Sequence, residues 1–171
     1  MSQSKKPSPL ATLTDLTTQE VKAIETAVNP LIADAFALYV KTKNFHWHLS
    51  GSHFRDYHLL FDEHADSIFA SIDILAERLR KIGATSIRSI GHISKLQTIT
   101  DNDEDFVSPK DMIQILLADN NAMAKAMREA IETCDDNRDT PTGNILQDIL
   151  DQTERRKWFL FEIAQGDENA A

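Results

Sequence analysis

The chain has 171 residues, a net charge of −9 and one cysteine. That length suits a single domain with a sizeable core, and a lone Cys134 excludes an internal disulfide and fits a reducing cytoplasm. The acidic balance argues against a broad DNA-binding face, and no run of about 18 apolar residues points to a membrane span.

In chain order, residues 1–16 carry Lys5, Lys6, Pro7 and Pro9 and read as a flexible tail. Thr17 and Glu20 form a capping box that opens a first helix running to about Leu49. Its apolar positions, from Val21 and Ile24 through Val28 and Leu31 to Leu38, recur at helical spacing, and Pro30 is expected to kink it or to cost a hydrogen bond to residue 26. Ser50, Gly51 and Ser52 make the turn into a second helix over residues 54–82. That helix contains neither Pro nor Gly, and it ends in Arg78, Arg80 and Lys81 before Gly83.

The connection that follows is about 25 residues, too long to be structureless inside a bundle, and residues 87–96 are apolar enough for a short helix. Asp101, Asp103 and Asp105 alternate as a calcium loop begins, but Phe106 and Met112 stand where the loop needs Gly and Glu. Those aspartates read as solvated loop. Ser108 caps a third helix with Pro109 at its first position, and its Met residues read as core filler. Residues 135–141 turn the chain into a fourth helix, where Ile145, Leu146, Ile149, Leu150 and Leu160 form the apolar stripe. The expected fold is all-α: a ferritin-like four-helix bundle over residues 17–165, with a short extra helix between the second and third helices and a short tail at 166–171.

The chemistry concentrates on the second helix. At about 100° per residue, His58 and Asp62 lie one turn apart on one face. Asp73, eleven residues after Asp62, returns to nearly the same angle, and Glu77 follows one turn later. Both pairs suit a metal, yet roughly 16 Å of helix separates them, far beyond the span of one ion's ligands. The geometry closes only if the same helix of a second copy runs antiparallel alongside, so that a twofold axis makes two equivalent sites. Carboxylates with imidazole suit iron, manganese or zinc, and no thiolate points to a closed structural zinc site.

The run Lys41-Thr-Lys-Asn-Phe-His46-Trp47-His48, then His58 with Asp62, then Asp73 and Glu77-Arg78, resembles the Dps family of mini-ferritins over roughly residues 17–165. The resemblance implies that His46, His58 and Asp62 of one subunit, with Asp73 and Glu77 of its twofold partner, bind iron. It implies a cytoplasmic ferroxidase that oxidises Fe(II) with hydrogen peroxide or oxygen. It implies too that the Fe(III) mineral is stored in a hollow homo-dodecamer built from twofold dimers, without an organic cofactor. Trp47 would take up radical electrons. In some relatives a Lys-rich tail holds DNA; Lys5 and Lys6 alone predict weak binding or none. The alternative function is a nucleoid-associated, DNA-compacting stress protein with iron oxidation secondary.

The family's iron-entry pore uses an acidic residue where this chain has Asn144, so Asp148 and Asp151 are the candidates to carry the pore's negative field. A di-iron centre within one subunit would need Glu three residues before a His, and none of the six histidines has one. His48 points away from His46, and His64 lies about 240° round from His58, which leaves both as secondary metal candidates at most. His53 falls in the turn and His92 in the long connection.

Overall fold

The computed structural model describes residues 9–168 and holds five helices: α1 (Thr18–His48), α2 (Phe54–Lys81), α3 (Ile90–Leu96), α4 (Pro109–Asp136) and α5 (Thr140–Glu168). No strand occurs among the described residues. α1 packs chiefly on α2 and α4 on α5; α1–α4 and α2–α5 contacts close a four-helix bundle, and α3 lies across α1.

The ends of the helices follow local chemistry. Both arms of the capping box form at Thr17 and Glu20. Gly83, at φ 85°, closes α2: its N–H bonds Arg80 O and the Ala84 N–H bonds Leu79 O, the double bond of a left-handed cap. Ser89 caps α3 and Ser108 caps α4, with Pro109 at the first position. α1 runs unbroken past Pro30.

α5 begins earlier than the expected turn at 135–141 allows. Asp139 accepts the Thr142 N–H, and Pro141 sits in the first turn, where its missing N–H has no helical partner to lose. The turn shrinks to residues 137–139, with Arg138 in the left-handed region at φ 60°. At its other end α5 continues to Glu168, beyond residue 165 where the bundle was expected to stop.

α1 is long and apolar enough to cross a membrane by length and composition, against the expectation of no such run. Its apolar side is core instead: Ile24, Val28, Ile32 and Leu38 are fully buried, facing Phe61, Leu75 and Leu79 of α2 and Ile113, Leu116 and Met127 of α4. Met112 and Met123 are also buried, as core filler should be. Asp34, buried on α1, accepts Thr98 N–H (2.5 Å), Thr98 Oγ1 (2.8 Å) and Ile99 N–H (3.0 Å), tying the long connection to the bundle. The tail expected over residues 1–16 is held from Leu10 onward. Arg80 Nη2 donates to Leu10 O and Thr12 Oγ1 donates to Arg80 O.

A second polar group lies inside the bundle. Arg156 of α5, 4% exposed, donates to Asn120 Oδ1 of α4, Ser67 Oγ of α2 and Thr153 Oγ1 of its own helix. His64 of α2 is equally buried, and its Nδ1 has no partner.

Candidate metal centre

The end of α1 meets the start of α2 across the Ser50–Ser52 turn, and two histidines lock each other there. His46 Nδ1 lies 2.7 Å from His58 O, and His58 Nδ1 lies 3.0 Å from His46 O. A carbonyl can only accept, so each Nδ1 carries the proton and donates it. Each Nε2 is therefore the lone-pair nitrogen of the neutral ring, ready to ligate, with its orientation fixed by the bond behind it. The rings stack at 3.7 Å between centroids, and Phe54 covers the other face of His58 at 5.0 Å. Helix periodicity places His58 and Asp62 on one face, but it does not predict this reciprocal lock, which depends on how the two helices cross.

Asp62 lies beside the pair, with Oδ1 3.9 Å from His46 Nε2. The same oxygen accepts Lys43 Nζ at 2.6 Å. That hydrogen bond holds the Asp62 carboxyl below its usual range and raises the Lys43 ammonium above its own. Lys43 escaped the sequence reading. Its signal was a basic residue three positions before His46, hence on the same face of α1.

Asp73 and Glu77 stand apart from this trio, exposed farther along α2. Asp73 borders an apolar groove of about 520 Å³ lined by Phe36, Phe69, Ile72 and Ile90, and Glu77 faces Lys81 at 3.6 Å. Among the described residues no three His, Cys, Asp or Glu side chains converge closely enough within one chain to hold a metal. Within one chain His46, His58 and Asp62 therefore stay apart from Asp73 and Glu77 along α2.

The remaining candidates scatter. Trp47 is 62% exposed beside His46. His48 Nδ1 pairs with Asn44 O and Asn44 Oδ1, and His53 lies against Tyr57. His64 points into the core rather than toward a metal. Asn144, Asp148 and Asp151 are exposed along α5. Lys5 and Lys6 lie outside the described residues.

The ferritin-like domain family matches residues 25–169. The chain is 29% identical over 147 residues to DNA protection during starvation protein 1 of Deinococcus radiodurans, covering 84% of this chain and 71% of that protein. It is 27% identical over 130 residues to the DNA protection during starvation protein of Helicobacter pylori, covering 76% of this chain and 90% of that protein. Its fold superimposes on Dps from Thermosynechococcus elongatus with a TM-score of 0.84 at 28% identity, covering 90% of this chain and 98% of that one. With the bundle, its linking helix and the matched domain in agreement, the chain belongs to the ferritin-like proteins and, among them, to the Dps family.

Proposed function

We propose that this protein is an iron-storing and iron-detoxifying mini-ferritin that oxidises Fe(II) at sites shared between two subunits. The observation that carries the reading is the pair of locked histidines presenting Nε2 beside Asp62, with Asp73 and Glu77 on the same helix but out of reach. In an antiparallel α2–α2 pair, His46, His58 and Asp62 of one subunit face Asp73 and Glu77 of the other. Two imidazoles and three carboxylates bind Fe(II), and the anionic charge favours Fe(III) once an electron leaves. With hydrogen peroxide as oxidant, two Fe(II) give one electron each, and the peroxide takes two protons to become two waters. Consuming Fe(II) and peroxide together prevents hydroxyl-radical formation.

The apolar groove beside Asp73, with Phe69, Ile74 and Ile90 exposed around it, supports a second copy covering that face. A separate groove between α4 and α5, lined by Leu117, Trp158 and Phe161, supports further subunit contacts, as a closed hollow dodecamer requires. The proposed setting is the cytoplasm, with Fe(III) mineral held inside the shell.

The test is complementation between two crippled chains. Asp73→Ala/Glu77→Ala keeps the histidine half, and His58→Ala/Asp62→Ala keeps the acidic half, so neither homodimer has a whole site. Dissociated to monomers, mixed and reassembled, the two chains form heterodimers that regain one whole site of two. Fe(II) oxidation by peroxide should reappear on mixing. Reassembled heterodimers that stay as inactive as their parents would rule out the intersubunit site.

A further inference from the structure

A groove of about 440 Å³ lies between the first half of α1 and α3, apart from the groove beside Asp73. α3 gives Ile90 and Ile93 to the Asp73 groove and His92 and Leu96 to this one, which Lys22, Thr26 and Asn29 line from α1. The volume is that of a small-molecule site.

Two acceptors here lack donors. Asn29 is 8% exposed, and its Nδ2 donates to Thr85 O at 2.9 Å. That bond fixes which way the amide faces, and it leaves Oδ1 buried with no partner. Pro30 has no N–H, so the carbonyl of Thr26, four residues earlier on the groove wall, loses its helical donor.

The rim is cationic on a chain whose net charge is −9. Glu25 is the one carboxylate among the described residues lining the groove, and it is already engaged. It accepts Lys22 Nζ at 2.8 Å, Thr85 N–H at 3.1 Å and Thr85 Oγ1 at 2.7 Å. Arg88 donates from Nη2 to Thr85 Oγ1 at 3.2 Å, a neutral partner, and no anion meets its charge among the described residues.

Acceptors without donors are met by hydroxyl groups, and a guanidinium beside an ammonium is met by a phosphate. We infer that this groove binds a hydroxylated phosphate monoester, such as a sugar phosphate, with its phosphate on Arg88 and Lys22 and its hydroxyls on Thr26 O and Asn29 Oδ1. Each hydroxyl supplied to an orphaned acceptor offsets the cost of burying that acceptor dry. The site uses none of the metal-site residues, so it goes beyond the iron chemistry and stands or falls without it.

Calorimetry on the assembled, iron-free protein in phosphate-free buffer tests this. Glucose 6-phosphate and glycerol 3-phosphate should bind once per subunit, the former at least about tenfold tighter than inorganic phosphate or glucose. Arg88→Gln and Lys22→Gln should each weaken both esters at least about tenfold, and their placement on different elements guards against misassembly of either variant. Pro30→Ala restores a donor to the Thr26 carbonyl and favours the helix. It should weaken glucose 6-phosphate at least about threefold and leave inorganic phosphate unchanged. No saturable binding of either ester below about 10 mM would overturn the inference. Equal affinity for inorganic phosphate and glucose 6-phosphate would do so too, as would ester binding that neither charge variant nor Pro30→Ala alters.

Discussion

Replacing His64 with Leu should make the protein markedly more resistant to acid. His64 is 4% exposed, and its Nδ1 has no partner. Burial pushes its pKa from the ordinary 6.5 down to about 3, with the Arg156 and Arg155 charges adding to the effect. Arg156 itself is buried among Asn120, Ser67 and Thr153, which are neutral, so a second positive charge beside it would have no anion to meet. Between about pH 6.5 and 3 the unfolded chain binds a proton at this residue and the folded chain does not. Stability therefore falls as pH drops through that window. Each pH unit carries up to about 1.4 kcal/mol, so lowering pH from 6.5 to 4.5 removes on the order of 2 kcal/mol through His64 alone. The assay is urea unfolding by circular dichroism across pH 4.5–7, at one protein concentration because subunit association contributes to the midpoint. His46, His48, His53, His58 and His92 remain in both proteins, so the difference between the two pH profiles isolates His64. Parallel profiles for wild type and His64→Leu would refute the argument.

Asp34→Ala strands the Thr98 and Ile99 amides, which should cost on the order of 3 kcal/mol and speed hydrogen exchange at both; unchanged exchange there would show that the connection is held elsewhere. Duplex DNA should bind weakly or not at all in about 150 mM salt, because net charge is −9 and the tail offers only Lys5 and Lys6. A gel shift that persists at that salt and vanishes on deleting residues 1–10 would reverse this. Asp148→Asn/Asp151→Asn should slow iron uptake, most at low ionic strength where a pore field reaches farther, while Fe(II) affinity at the twofold site stays the same. Wild-type uptake by the assembled double variant in low salt would mark both aspartates as plain helix surface.

Helix ends were legible because their causes are local. The Thr17–Glu20 box, the Ser108–Pro109 start and the basic turn before Gly83 each act within a few residues, and each forms as read. The start of α5 was misplaced for a reason equally physical. Asp139 caps it while also accepting Arg78 Nη2 at 2.6 Å from α2, and a bond between residues 61 apart leaves no local pattern. The docking of Leu10 and Thr12 through Arg80 was hidden in the same way.

The site divides along that line. Periodicity alone sets His58, Asp62, Asp73 and Glu77 on one stripe and shows that one ion cannot use them all. What periodicity cannot supply is the partner of each group across the α1–α2 crossing: the His58 carbonyl behind His46, the His46 carbonyl behind His58, and the Lys43 ammonium on Asp62. Those partners fix which ring nitrogen carries the proton and which cation the carboxylate meets, so they bear on chemistry rather than on fold. The same limit applies in the core. By residue type His64 and Arg156 belong outside, yet the fold buries both, because α2, α4 and α5 bring Ser67, Asn120 and Thr153 to the guanidinium. Three neutral acceptors each take a hydrogen bond from one guanidinium nitrogen without cancelling its charge, so burial first, and that charge second, keep His64 neutral in the folded bundle.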